Sequence, residues 1–210
     1  MEMKQGLLIP MQNEQNKNLK DDGEVITISE WLLEMQNSSG IKYSIWPDRN
    51  YYLRVGIQAA LLDKQHNHLN FNFIFVDFSH YNIKLFSDPH WISHLVKSGS
   101  GLILLSDYRM DNLASWWWKN NQRIATVIYS SDCKQTITKK IKDVLIGRWG
   151  NGVKPGSLTT LEVEVLNLLS REYTLKDIAD SLGIDRKKLY NIRFSLQRKL
   201  NGEINKLFLF

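Results

Sequence analysis

Residues 71–82 read FNFIFVDFSHYN, an apolar run that ends on a single acid, Asp77. Phe73, Ile74, Phe75 and Val76 follow one another without a polar break, so the run is a strand covered on both faces rather than one with a wet side. Strands of that kind belong to parallel sheets flanked by helices. A carboxylate at the carboxyl end of such a strand stands where open α/β sheets keep their reactive groups. The plainer reading is that acids end strands because they stop burial and begin a turn. The rest of the chain has to separate the two.

Outward from this strand the pattern alternates. Before it come a short strand, IKYSIW (41–46), and a helix, YYLRVGIQAALLDK (51–64). After it come a helix opened by Asp88 and Pro89, a strand GLILLS (101–106), a helical turn through DNLASWWWKN (111–120) and a strand IATVIY (124–129). A last helix, KQTITKKIKDVLIG (134–147), places Ile137, Ile141, Val144 and Leu145 on one face. Strand and helix in alternation imply an α/β domain with a parallel sheet. The stretch GRWGNGVKPGS (147–157), with four glycines and a proline, reads as a linker. At the amino end, residues 11–24 are polar without a period, ahead of a short amphipathic helix in SEWLLEMQN (29–37). The expected division is a mobile lead-in with a short helix (1–40), an α/β domain (41–146), the linker (147–157) and an all-α domain (158–210).

Composition narrows the chemistry. At 210 residues, 43% hydrophobic and 11% aromatic, the chain is globular with room for a real core. A formal charge of +5 and a pI near 9.2 lean mildly toward an acidic partner. The single Cys133 excludes an internal disulfide and a cysteine-built metal site. The five histidines, including HNH at 66–68, lack acids or cysteines at ligand spacing, and no nucleophile motif is present. The expectation is therefore no metal, no cofactor and no enzyme activity. No stretch reaches transmembrane length and the amino end lacks a signal peptide's apolar run, which points to a cytoplasmic protein without a membrane partner.

The carboxyl segment carries the most specific signal. Thr159 and Glu162 form a capping box before an apolar stripe of Leu161, Val165, Leu168 and Leu169. Thr174 caps a second, short helix with Ile178, Ala179 and Leu182. Gly183 then supplies a left-handed turn, and Asp185 caps a third helix backed by Leu189, Ile192, Leu196 and Leu200. Two short helices across a glycine turn are a helix-turn-helix. From 185 to 199 the third helix has six basic residues, Arg186, Lys187, Lys188, Arg193, Arg198 and Lys199, against one acid. A basic helix with a firm apolar back suits the major groove of DNA, though a solvated basic face is the bland alternative.

Residues Leu158 to Leu200, about a fifth of the chain, resemble the LuxR-type helix-turn-helix of bacterial transcription regulators. The resemblance rests on Leu158-Thr159, Glu162, Glu164-Val165-Leu166, Leu168-Leu169, Lys176-Asp177-Ile178-Ala179, Leu182, Ile184 and Lys199-Leu200. It departs at Leu161, at Glu172 where the family has a loop glycine, and at Lys188-Leu189-Tyr190 and Ile192. It implies double-stranded DNA as partner, met by Thr174, Lys176, Lys187, Lys188, Arg193 and Arg198, with Tyr190, Asn191 and Phe194 at the base-facing positions. The family's fourth helix is cut short, since only EINKLFLF follows Gly202.

The amino half resembles a degenerate receiver domain, a flavodoxin-like fold, here with an edge strand missing or supplied by the lead-in. In that comparison Asp48 stands at one metal-binding acid, Asp77 at the phosphoacceptor and Ser106 at the conserved hydroxyl. Arg49 replaces the second acid and Tyr129 the lysine. Phosphoryl transfer to a carboxylate needs a divalent cation and a cationic partner, so this pocket is read as vestigial, with Arg49 available to pair with Asp77. Trp116, Trp117 and Trp118 span about 200° of a helix surface. A partner interface and simple burial are about equally consistent with that span, and the resemblance to receivers, whose fourth-helix region is a dimerisation face, implies a partner interface at these three residues.

The chain as a whole resembles auxiliary regulators of the RcsA and BglJ type. That implies a phosphorylation-independent regulator paired with another LuxR-type protein, an RcsB-like response regulator. Homodimerisation, a protein-binding antagonist that never touches DNA, and a phosphorylated response regulator are the alternatives.

Overall fold

The computed structural model describes residues 42–62, 72–96, 100–150 and 156–208. The expected lead-in with its short helix, the HNH run and the middle of the linker lie outside those residues.

Four strands form one parallel sheet in the order β1 (Lys42–Trp46), β2 (Asn72–Phe78), β3 (Gly101–Ser106) and β4 (Ile124–Ile128). Ile74 pairs with Ser44 on one side and Leu102 on the other, so β2 and β3 are the central strands and their apolar runs are covered on both faces. Helices α1 (Tyr51–Leu62), α2 (Ile83–Ser87), α3 (Trp91–Val96), α4 (Asp111–Asn120) and α5 (Lys134–Leu145) complete an α/β domain of receiver-like architecture. Among the described residues the sheet has four strands, with β1 at an edge. The interval after α1, residues 63–71, lies outside the described residues.

Two local expectations are corrected. The helix opened by Asp88 and Pro89 is preceded by a 3-10 turn (His80–Asn82) and by α2, too short to display a helical period in sequence. Ile137 is only half-buried, whereas Lys140 is buried beside Ile141, Val144 and Leu145.

One face of the sheet, Ile74, Val76, Phe78, Leu102 and Leu104, packs on Phe86, Trp91, Leu113 and Trp117. Trp91 meets Trp117 edge-on with centroids 5.4 Å apart and stacks on Trp46 at 5.9 Å. The same apolar cluster runs on into the carboxyl helices α6 (Thr160–Ser170), α7 (Leu175–Leu182), α8 (Arg186–Lys199) and α9 (Ile204–Leu207) through Leu158, Val163, Val165 and Leu166. Helix α6 lies against α2. The Ser87 hydroxyl donates to that of Ser170 at 2.8 Å, and the Arg171 guanidinium donates to Asp88 at 3.1 Å. At the other end, Asn112 on α4 donates its amide to the carbonyl of Lys199 at 2.7 Å and accepts from the backbone N–H of Leu158.

The buried side of α6 is wider than the sequence stripe. Val163, Val165 and Leu166 are buried and Leu161, Leu168 and Leu169 only partly so, because the helix is covered by α2 on one side and α8 on another.

Candidate functional site

At the carboxyl ends of β2 and β3 the structure gathers Asp77, Ser79, His80, Asn82 and Asp107. Asp77 is 6% exposed. Burial pushes its carboxyl above the usual carboxylate range; hydrogen bonds from the Ser79 and Asn50 side chains pull it back in part, and the negative charge of Asp107 pushes it further up. The side chain of this segment that hydrogen-bonds Asp77 is Asn50, where the expectation had placed Arg49, and Asp48 pairs with Arg54 one turn into α1. Arg49 is exposed.

Asp107 is the organising acid of this corner. Its carboxylate accepts from the backbone N–H of His80 at 2.7 Å, Arg109 at 2.9 Å and Met110 at 3.1 Å, and lies 2.6 Å from His80 Nδ1. It caps the chain entering α4, and it went unnoticed in the sequence because the family comparison stops at the preceding hydroxyl. That hydroxyl, Ser106, donates to the carbonyl of Asp107. Tyr129 is buried, with its hydroxyl 2.9 Å from that of Ser115. The cation beside Tyr129 is Lys140, whose ammonium lies 4.6 Å from the ring centroid and donates to the carbonyl of Val127 and to Asp132. Lys140 is thus tied to Asp132. Among the described residues no cluster of histidines, cysteines and acids could hold a metal ion.

The second constellation is on α8. Thr174 caps α7 by accepting from the backbone N–H of Asp177, and Asp185 caps α8 by accepting from that of Lys188 at 2.7 Å. Between the two helices Gly183 takes the left-handed conformation at φ 60°. Leu189, Leu196 and Leu200 are buried and Ile192 partly so, which fixes the rotation of α8. On the opposite side Lys187, the adjacent pair Tyr190 and Asn191, Phe194 and Arg198 recur at helical spacing, all exposed. Tyr190 is 58% and Phe194 70% exposed. Lys188 on α8 and Lys176 on α7 are also exposed. Arg193, one turn from the buried Leu189, is half-buried.

A buried polar knot holds α8 to α6. Glu162 accepts from the backbone N–H of Thr159 at 2.7 Å, from Ser195 at 2.6 Å and from the Lys199 ammonium at 2.7 Å. Burial would raise its pKa, but those hydrogen bonds and the charge of Lys199 outweigh it and hold the carboxyl below the usual range. Glu162 appeared in the sequence only as a capping residue; its reach to Lys199, 37 residues on, has no local signal.

The three tryptophans of the run differ in burial. Trp117 is 5% exposed and donates its indole N–H to the carbonyl of Phe86 at 2.9 Å, so it belongs to the core. Trp116 and Trp118 are half-buried against the same cluster. The strongly exposed aromatics of the α/β half are Tyr51, Tyr52, Tyr81 and Tyr108.

Comparison with known proteins gives three findings. A family model described as the EcpR N-terminal domain matches residues 26–145. A protein of Escherichia coli (strain K12), uncharacterized protein YqeH, is 32% identical over 167 residues, 80% of each chain. Two solved structures, two RcsB dimers bound to two parallel DNAs and an RcsB–DNA complex, match 82% of this chain at 14% and 15% identity. They are covered to 97% and 96%, with TM-scores of 0.48 and 0.46.

Proposed function

The chain belongs to the EcpR N-terminal domain family, and from that premise we propose that it is a sequence-specific DNA-binding transcription regulator. It acts without phosphorylation, as the auxiliary heterodimer partner of an RcsB-like, LuxR-type response regulator. The observation that carries the reading is the outward stripe of α8: two cations, an amide and two aromatics exposed together on a helix whose opposite face is locked into a core. Cations at its ends offset phosphate charge, and the side chains between them meet base edges.

The strand-end pocket supports independence from phosphorylation. Asp77 is buried beside a second carboxylate, and the lysine near Tyr129 is spent on Asp132. A phosphorylated Asp77 would add charge beside the carboxylate of Asp107. Support for pairing through the α/β half is the short α9, whose Ile204 and Leu207 are already buried within the helical half. The proposed division of labour is an α/β half (41–146) for pairing and a helical half (158–210) for DNA.

Fluorescence anisotropy of the full chain on labelled duplexes tests the DNA reading. Lys187→Ala should weaken all sequences alike and reduce the logarithmic salt slope by about one unit. Asn191→Ala should relax preference at one base pair by about 1–3 kcal/mol. A chain that binds no duplex at low salt refutes the reading. Sedimentation of the protein, alone and mixed with an RcsB-like regulator, tests the pairing: a tight self-dimer indifferent to the second protein would reject it.

A further inference from the structure

We propose that α8 selects its DNA by the C5-methyl groups of thymine, packed against Phe194 and Tyr190 on the floor of the major groove. The inference rests on the DNA-binding reading and names the class of site that it takes.

Phe194 sits at the middle of the outward stripe, one turn beyond Tyr190, with Asn191 beside both. Lys187 lies seven residues before it and Arg198 four after. Those two cations are therefore about 16 Å apart along the helix axis, wider than the roughly 12 Å opening of the groove. Cations spaced in this way reach the phosphate walls while the residues between them face the floor. Phe194 has no hydrogen-bonding group, so the donors and acceptors on the base edges offer it nothing. It is also the most exposed large apolar side chain of the helical half, at 70%. What the groove floor offers a phenyl ring is a methyl group, and thymine is the base that presents one there. Asn191, within reach of the same step, matches the N6 and N7 edge of adenine. An anionic bilayer would also suit cations with aromatics, but it needs a continuous apolar face. Here Asn191 interrupts the aromatics and the truly apolar side of α8 is buried in protein.

The test uses the full chain and duplexes selected from a random pool at about 50 mM salt, where phosphate contacts are strongest. Deoxyuridine then replaces thymine one position at a time, which deletes a methyl and nothing else. One or two positions should lose about fourfold in affinity, the worth of one buried methyl-sized group. Phe194→Ala, which removes no core contact, should bind the selected duplex more weakly and show no such loss, with its salt slope unchanged. Tyr190→Ala should erase the effect at the neighbouring position only. Tight, sequence-selective binding that ignores deoxyuridine everywhere, or methyl sensitivity retained in both variants, overturns the inference and leaves the DNA reading standing. Absence of duplex binding, with α8-dependent binding to phosphatidylserine vesicles in its place, overturns both.

Discussion

Asp77 marks the distance between what a residue promises and what its neighbours allow. Its carboxyl is raised by burial first and by Asp107 second, with only Ser79 and Asn50 to favour the charge. A carboxyl raised in the fold binds its proton more tightly there than in the unfolded chain, so its charge weakens the fold above its folded pKa and the penalty fades as pH falls through it. Asp77→Asn should therefore melt at a higher temperature than the parent at pH 7, and the two melting curves should converge near pH 4. Regulation should be unchanged; a stable acyl-phosphate formed with Mg²⁺ and lost in the variant would contradict the vestigial reading. Trp117 makes the opposite case. Its indole fills the core against Trp91 and donates to Phe86, so Trp117→Ala should cost about 3–5 kcal/mol in urea unfolding. A cost near zero would return it to the surface. Both sites show where sequence ran out. Three adjacent tryptophans cover too much of a helix for periodicity to say which is inside, and the partners of Asp77 come from loops 27 residues before it and 30 after.

At the scale of elements, the strands and the three principal carboxyl helices were legible because each carries its own punctuation. GLILLS is β3 to the residue, and the capping residues Thr159, Thr174 and Asp185 stand where the helices begin. The turn between α6 and α7 was legible as an exception. Glu172, where the LuxR-type pattern has glycine, adopts a φ of 64°, a left-handed conformation that crowds its Cβ. Glu172→Gly should stabilise the chain by about 1 kcal/mol in chemical denaturation, and no gain would show that the strain is relieved elsewhere. The knot between α6 and α8 was not legible, because nothing local links Glu162 to Lys199. Its pKa is held down in the fold against the pull of burial, so its contribution is present above the unfolded pKa and lost as pH falls through the folded one. Glu162→Ala leaves the Lys199 ammonium without its carboxylate and should cost about 3 kcal/mol at pH 7. The difference from the parent should shrink toward pH 3; a constant difference would mean that packing, not charge, holds α8.

At the scale of the molecule, the described halves share one apolar cluster and are tied by Ser87, Asp88 and Asn112 to Ser170, Arg171 and Lys199. Unfolding should then be a single transition, and Asn112→Ala, which removes the bond to the end of α8, should split the helical signal from the rest in thermal melts followed by two probes. Coincident curves in that variant would show that the apolar cluster alone is sufficient. The probes are already in place. None of the seven tryptophans lies in the helical half, and five of them, Trp46, Trp91, Trp116, Trp117 and Trp118, lie in the α/β half, so indole emission reports on that half and not on the helical one. The indole of Trp117 is bonded to the last turn of α2, the helix on which α6 rests. Any partner that rotates α2 would break that bond and shift the emission colour, giving the chain an intrinsic optical gauge of the joint between its halves, readable without a dye.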